Sequence, residues 1–345
     1  MGASGGAGIL PARDPFVISP SFPGKGLGVR SLVEAIVRRS ILAVSMADRD
    51  GIAACGRHGA DAVALDLAAV IDPAARDEAR ARMREAIIQA RRGGAEVFVR
   101  IDSALAYVDV EAAAWPGLTG IMLPAARVAA DVQEAAGVLA ELERRHGVPV
   151  GALQLFLLLD TGAAVWNVRE LISASPRVSS VALDYTGLCE SLGIVPQLAV
   201  EDVFDPFLFA AGRLVIECTA ARVQPVGISY PLSLQPRLLP AEELAQLVDR
   251  SRNTGFKGAI CPHPSWVEPC NLGFTPTTEQ IEYYREVRRV FAEGIAQGRA
   301  AVPLDGRMLD VPVDERARVQ IALWERCQRR DAEKAAAVAA NALTS

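Results

Sequence analysis

The sequence predicts a (β/α)8 barrel, the TIM-barrel class of α/β fold, carrying a C-terminal helical appendage. Three observations point there. Eight short, nearly continuous apolar runs recur along the chain, amphipathic stretches of helical period separate them, and 345 residues at 51% hydrophobic content suffice for one large core. Apolar runs without polar alternation are what parallel strands buried on both faces look like, and strand–helix alternation closes most economically as a barrel. A doubly wound open sheet is the alternative. Its dinucleotide-binding form is disfavoured because no G-x-G-x-x-G follows the first strand.

The strand candidates are ILAVSM (41–46), AVALDL (62–67), EVFVRI (96–101), GIMLPA (120–125), LQLFLLLD (153–160), VSSVALDY (178–185), VQPVGIS (223–229) and GAICPHP (258–264). Between them, 73–92 places Ala79, Met83, Ala86 and Ile87 at helical spacing, and 126–145 does the same with Val128, Val132 and Leu139. The stretch 240–255 starts on a proline and stops on Gly255, a normal helix start and stop. After the last strand, 274–298 predicts a Thr-capped turn and a long helix.

Four segments follow: a flexible Gly-, Ala- and Pro-rich tail (1–30), the barrel (31–300), an appendage of one extended piece and one helix packing on a neighbouring subunit (301–330), and an Ala-rich tail (331–345). A net charge of -5 without a basic block argues against nucleic acid as a partner. No apolar run reaches the ~20 residues of a membrane span. Six scattered cysteines without a C-x-x-C pair suit free thiols in a reducing cytoplasm. The irregular spacing of Cys261, His263 and Cys270 argues against zinc, and Trp166 is expected to pack in the barrel–helix layer.

In a barrel of this class the C-terminal strand ends build the active site. Two of them carry carboxylates, Asp160 in LLLD and Asp184 in VALDY.

The segments RRSILAVSM, GADAVALDLAAVIDP, VFVRID, GIMLPA, ASPRVSSVAL, GFKGAICPHPSWV, FTPT and AVPLDGRMLDVPV, in this order, carry a resemblance to a known family. Across about residues 35–325 the chain resembles the HpcH/HpaI aldolase family, in its citrate lyase β-subunit-like branch. The resemblance implies a homo-oligomer, often a trimer. It implies carbon–carbon lyase or aldolase chemistry on small hydroxy or oxo acids or their CoA thioesters, with Mg2+ and without an organic cofactor. It also implies roles: Arg100 as the anchor of a substrate carboxylate, Asp310 as a proton-transfer acid given to a neighbour's site, Arg39 as a contact to the phosphates of a thioester ligand, and His263 as a structural, core hydrogen-bonding residue.

The departures from the family pattern are as specific as the matches. L-D-L-E-D has become LDLAA, with Ala68 and Ala69 replacing both acids. L-P-K has become LPA, with Ala125 in the lysine's place. The metal-ligand glutamate of I-E-T-A is Asp160 here, G-x-E-D-L puts Thr186 and Gly187 where its acids stand, and the opening V-P-G turn reads VSM, with Ser45 and Met46. Two chemistries are open. Asp160 and Asp184 hold a relocated Mg2+, or Arg100, Asp160 and Asp184 do metal-free acid–base work, such as thioester hydrolysis or a biosynthetic step. The alternative to both is a non-catalytic, regulatory relative that kept the barrel alone.

Overall fold

The computed structural model describes residues 37–103, 106–194, 207–227 and 239–342. The expected N-terminal tail (1–30) and the last two residues of the 223–229 strand candidate lie outside them. Eight parallel strands form one sheet: β1 (Ser40–Ser45), β2 (Ala62–Asp66), β3 (Glu96–Arg100), β4 (Gly120–Leu123), β5 (Gln154–Leu159), β6 (Val178–Leu183), β7 (Gln224–Val226) and β8 (Ala259–Cys261). Their order is β7-β6-β5-β4-β3-β2-β1-β8. The two edges meet through the Gly227 N–H donating to the Gly258 carbonyl (2.8 Å) and the Lys257 N–H to that of Pro225 (3.0 Å). The expected barrel is the fold observed.

Side-chain parity explains the apolar runs. One set, including Ile41, Ala62, Ala64, Phe98, Met122, Phe156, Leu158 and Ala182, fills the barrel interior. The alternate set, including Leu42, Val63, Leu65, Val97, Val99, Ile121, Leu155 and Leu157, packs under the helices. Phe98 and Phe156 meet edge to face at 5.8 Å, and the alanines of β2 and β6 leave room for them. Arg38, fully buried, plugs the N-terminal end of the barrel. It lies over the Phe98 ring and donates to Glu96, Gln154 and Ser180.

The helices follow the apolar periodicity, with one difference. The stretch 73–92 is two helices, Pro73–Ala81 and Met83–Arg91, hinged at Arg82, whose N–H is shared between the Glu78 and Ala79 carbonyls. The bend keeps Ala79, Met83, Ala86 and Ile87 on the barrel. The helix Ala129–His146 buries Val132 and Leu139 but leaves Val128 exposed at its start. Ala241–Thr254 ends on Gly255 in the left-handed region, and Thr278–Ala296 opens with a capping box between Thr277 and Gln280. Among the described residues no helix is long and apolar enough to cross a membrane.

The C-terminal region is more regular than the sequence pattern alone shows. The extended piece is a hairpin, β9 (Val302–Leu304) with β10 (Arg307–Leu309), turned by Asp305 and Gly306, both at positive φ. Residues 331–342, expected as an Ala-rich helix or frayed tail, are helical. They continue one helix, Val311–Ala342. Its first half packs on Thr278–Ala296 of the same chain. Its second half crosses beneath the barrel, so closely that a Cβ on Gly94 would lie 2.9 Å from that of Ala337. Buried charge draws it there: Asp61, fully buried at the start of β2, is held by Arg39 and by Lys334 of this helix.

Candidate active site at the barrel mouth

The inward parity that gives Phe98 and Phe156 to the core brings Asp66, Arg100, Asp160 and Asp184 to the mouth. Asp66 ends β2, Arg100 ends β3, and Asp160 and Asp184 directly follow β5 and β6. Asp66 and Arg100 are register partners. Leu159 and Leu183 are register partners too, so Asp160 and Asp184 stand side by side.

Arg100 reaches across the mouth. Its Nη1 donates to Asp66 Oδ2 at 3.3 Å and its Nη2 to Asp184 Oδ2 at 2.8 Å. The arginine is 36% exposed, against 14% and 18% for the two acids, so it faces whatever enters. The second oxygen of Asp184 caps the helix Tyr185–Leu192 through the Gly187 N–H, and that of Asp66 accepts from the Ala69 N–H. Asp160 accepts from the Ala125 N–H at 2.9 Å through Oδ2. Its buried Oδ1 has no hydrogen-bond partner among the described residues. Burial, reinforced by the Asp184 charge, holds the Asp160 carboxyl above the usual carboxylate range in spite of the Ala125 N–H.

The replacements have visible structural reasons. A Cβ on Gly187 would lie 2.8 Å from Asp160 Cβ, so no acid fits at 187 on this backbone. Ala125 takes a positive φ of 57°, unusual without a glycine, and this turns its N–H toward Asp160. Arg76 fastens the Ala68–Val70 loop by donating to the Val70 carbonyl, and pairs with Asp102. Among the described residues no group of three or more His, Cys, Asp and Glu side chains is placed to hold a metal ion.

Two of the expected site residues stand elsewhere. Arg39 precedes β1 at the opposite end of the barrel. It is 2% exposed and bonded to Asp61, Asp331 and Thr275. The phosphate contact expected of it is therefore corrected: a buried guanidinium spent on two acids offers nothing to a ligand at the mouth. Asp310 is exposed and accepts from the Val313 N–H at the start of the last helix. Two further expectations fail on burial. His263 is exposed and pairs with Ser265 rather than bonding in the core, and Trp166 is 66% exposed beneath the Arg213 guanidinium. All six cysteines are buried and free. Asp66 was not expected. Its signal was present, since it shares the parity of Ala62 and Ala64 and ends a strand.

Comparison with known proteins decides the lineage. The model of the HpcH/HpaI aldolase/citrate lyase family matches residues 39–264. The chain belongs to that family. Family relatives include the citrate lyase subunit beta of Leuconostoc mesenteroides subsp. cremoris, 26% identical over 81% of this chain and 91% of that protein. They also include the L-malyl-CoA/beta-methylmalyl-CoA lyase of Rhodobacter capsulatus, 25% identical over 76% of this chain and 87% of the relative. Among solved structures, the family barrel aligns with CitE from Mycobacterium tuberculosis in complex with magnesium, acetoacetate and coenzyme A. That match has a TM-score of 0.62 at 23% identity and covers 84% of this chain and 99% of the other. A citrate lyase structure from Burkholderia xenovorans aligns with a TM-score of 0.68 at 16% identity, covering 87% and 96%.

Proposed function

We propose that this protein makes or breaks a carbon–carbon bond in a small hydroxy or oxo acid, free or as a thioester, at the mouth formed by Asp66, Arg100, Asp160 and Asp184. The observation that carries the reading is Arg100, fixed between two acids at a half-open strand end with N–H donors to spare. A fork so held matches a substrate carboxylate. Asp160 is suited to take the proton of the hydroxyl beside the scissile bond and to return it in the reverse direction. It is half-buried, its Oδ1 is uncommitted among the described residues, and its raised proton affinity lies nearer the working range of a general base.

Asp66, Asp160 and Asp184 outnumber Arg100 and the neighbouring Arg127, and an acidic substrate is repelled by such an excess of negative charge. In the alternative chemistry Asp160 is a metal ligand instead of a base: with Asp184 it offers hard oxygens on adjacent strand ends, which would suit a divalent cation such as Mg2+ that takes one or two carboxylates and completes its shell with water and substrate. When bound, that ion supplies positive charge where the enolate oxygen develops. A second copy of the chain supplies Asp310 to protonate the enolate carbon, which makes the active form a homo-oligomer.

Calorimetric titration with pyruvate and oxaloacetate, in the presence and absence of Mg2+, tests this reading. Wild type binds the oxo acid more tightly with the ion. Arg100→Lys weakens the oxo acid by at least about tenfold, because the ammonium cannot reproduce the planar fork. Oxo-acid binding that is indifferent to Arg100→Lys would favour the non-catalytic reading, in which Arg100 only ties β3 to β6.

A further inference from the structure

A cavity of about 280 Å³ lies in the sheet–helix layer, between the outer faces of β3 and β4 near their C-terminal ends and the helices Ala106–Ala113 and Ala129–His146. Its walls are mainly apolar, with Ile101, Ile121, Val138 and Leu139 as the large side chains and Ala125 and Ala135 as small ones that leave the space open. Of the carboxylates in its lining, that of Asp131 is already engaged by the Arg127 and Val128 N–H groups. The cavity and the catalytic mouth share a residue. The N–H of Ala125 binds Asp160 on one side, while the residue lines the cavity on the other, held there by its positive φ. Ile101, another wall residue, directly follows Arg100 and faces the helix side of the barrel wall. Backbone strain at a site is sustained by its surroundings and is a pointer to function.

We infer that the acid taken at this mouth carries a linear alkyl substituent, which leaves the reacting centre over Ala125 and seats in this cavity. The inference rests on the reading of Arg100 as the carboxylate anchor and adds to it the class of substrate, a medium-chain hydroxy or oxo acid in place of the shortest ones. A dry apolar cavity of ~150 Å³ already takes up benzene. The volume here therefore holds a chain of about four to six carbons. The small residues at 125 and 135 select for it, since a lysine at 125 would bring a charged chain to the junction.

Titration of pyruvate, 2-oxobutyrate and 2-oxohexanoate in the presence of Mg2+ tests the inference. Affinity rises about fourfold for each added methylene in wild type. Ala135→Leu, which fills the cavity, removes the advantage of 2-oxohexanoate over pyruvate. Val138→Ala, which enlarges it, keeps or steepens that advantage. Thermal unfolding of both variants establishes that they fold. A flat series in wild type overturns the inference, and so does a steep series untouched by Ala135→Leu. 1-Hexanol separates the two readings, since it needs no carboxylate anchor. If no oxo acid binds but 1-hexanol does, and Ala135→Leu abolishes that binding, the apolar subsite stands and the acid anchor falls. Absence of binding by either probe overturns both.

Discussion

Asp160 is the residue whose surroundings are most finely set. One oxygen is tied to the Ala125 N–H, and the other is buried. Burial and the neighbouring Asp184 charge raise its proton affinity. A carboxyl whose pKa is higher folded than unfolded favours the folded state at low pH. It costs stability as pH rises from the ordinary carboxylate range through the folded value. Asp160→Asn removes that cost while keeping an acceptor for Ala125. Thermal unfolding in chelator should find the variant equal to wild type below the carboxylate range and more stable at neutrality. Equal stability across the whole range would show that Asp160 sits in an ordinary aqueous environment. Asp160 and Arg100 were legible as strand-end residues. The Ala125 N–H that binds Asp160 was not, because backbone donors leave no mark in a sequence.

The elements tell the same story in larger pieces. Buried faces were readable wherever a strand or helix kept its period, as in Ile281, Val287 and Phe291 on Thr278–Ala296. The β9–β10 hairpin was missed although its Asp-Gly pair is a strong turn signal. The start of the helix Tyr185–Leu192 shows why a family motif does not transfer by alignment alone. Gly187 lies so close to Asp160 that its departure from the pattern is a packing requirement. Gly187→Asp, the apparent repair, should not rebuild a metal site. It should destabilise the fold by about 1–3 kcal/mol through overpacking, measured as a lower denaturant midpoint at unchanged slope. A stable variant with tighter Mg2+ binding would show that this helix start can move aside.

At the scale of the whole molecule, the last helix closes the side of the barrel opposite the mouth. The exposed Asp331 and the buried Lys334 join Arg39 and the buried Asp61 in one ion cluster. Burial alone would raise the Asp61 carboxyl, but Arg39 and Lys334 overturn that and hold it below its ordinary range. Arg39 thus belongs to the clamp that seats the helix. Asp310 lies at the other end of the same helix, exposed. If a site combines Arg100 of one copy with Asp310 of another, Arg100→Ala and Asp310→Ala variants are each inactive alone. Mixed and allowed to exchange subunits, they should recover roughly one quarter of wild-type activity, as random pairing in a closed oligomer gives. Recovery to no more than the sum of the separate variants would confine the site to one chain.

The sequence by itself determined the barrel, its buried faces, the family, and the strand-end positions of Arg100, Asp160 and Asp184, because parity and period are local properties of a chain. Only the tertiary structure decided what those positions do to one another. It alone set Arg100 between Asp66 and Asp184, left an oxygen of Asp160 without a partner among the described residues, drew Arg39 into a cluster with residues nearly the whole chain away, and opened a cavity behind Ala125. These are matters of distance and burial between segments remote in sequence, and no local pattern encodes them.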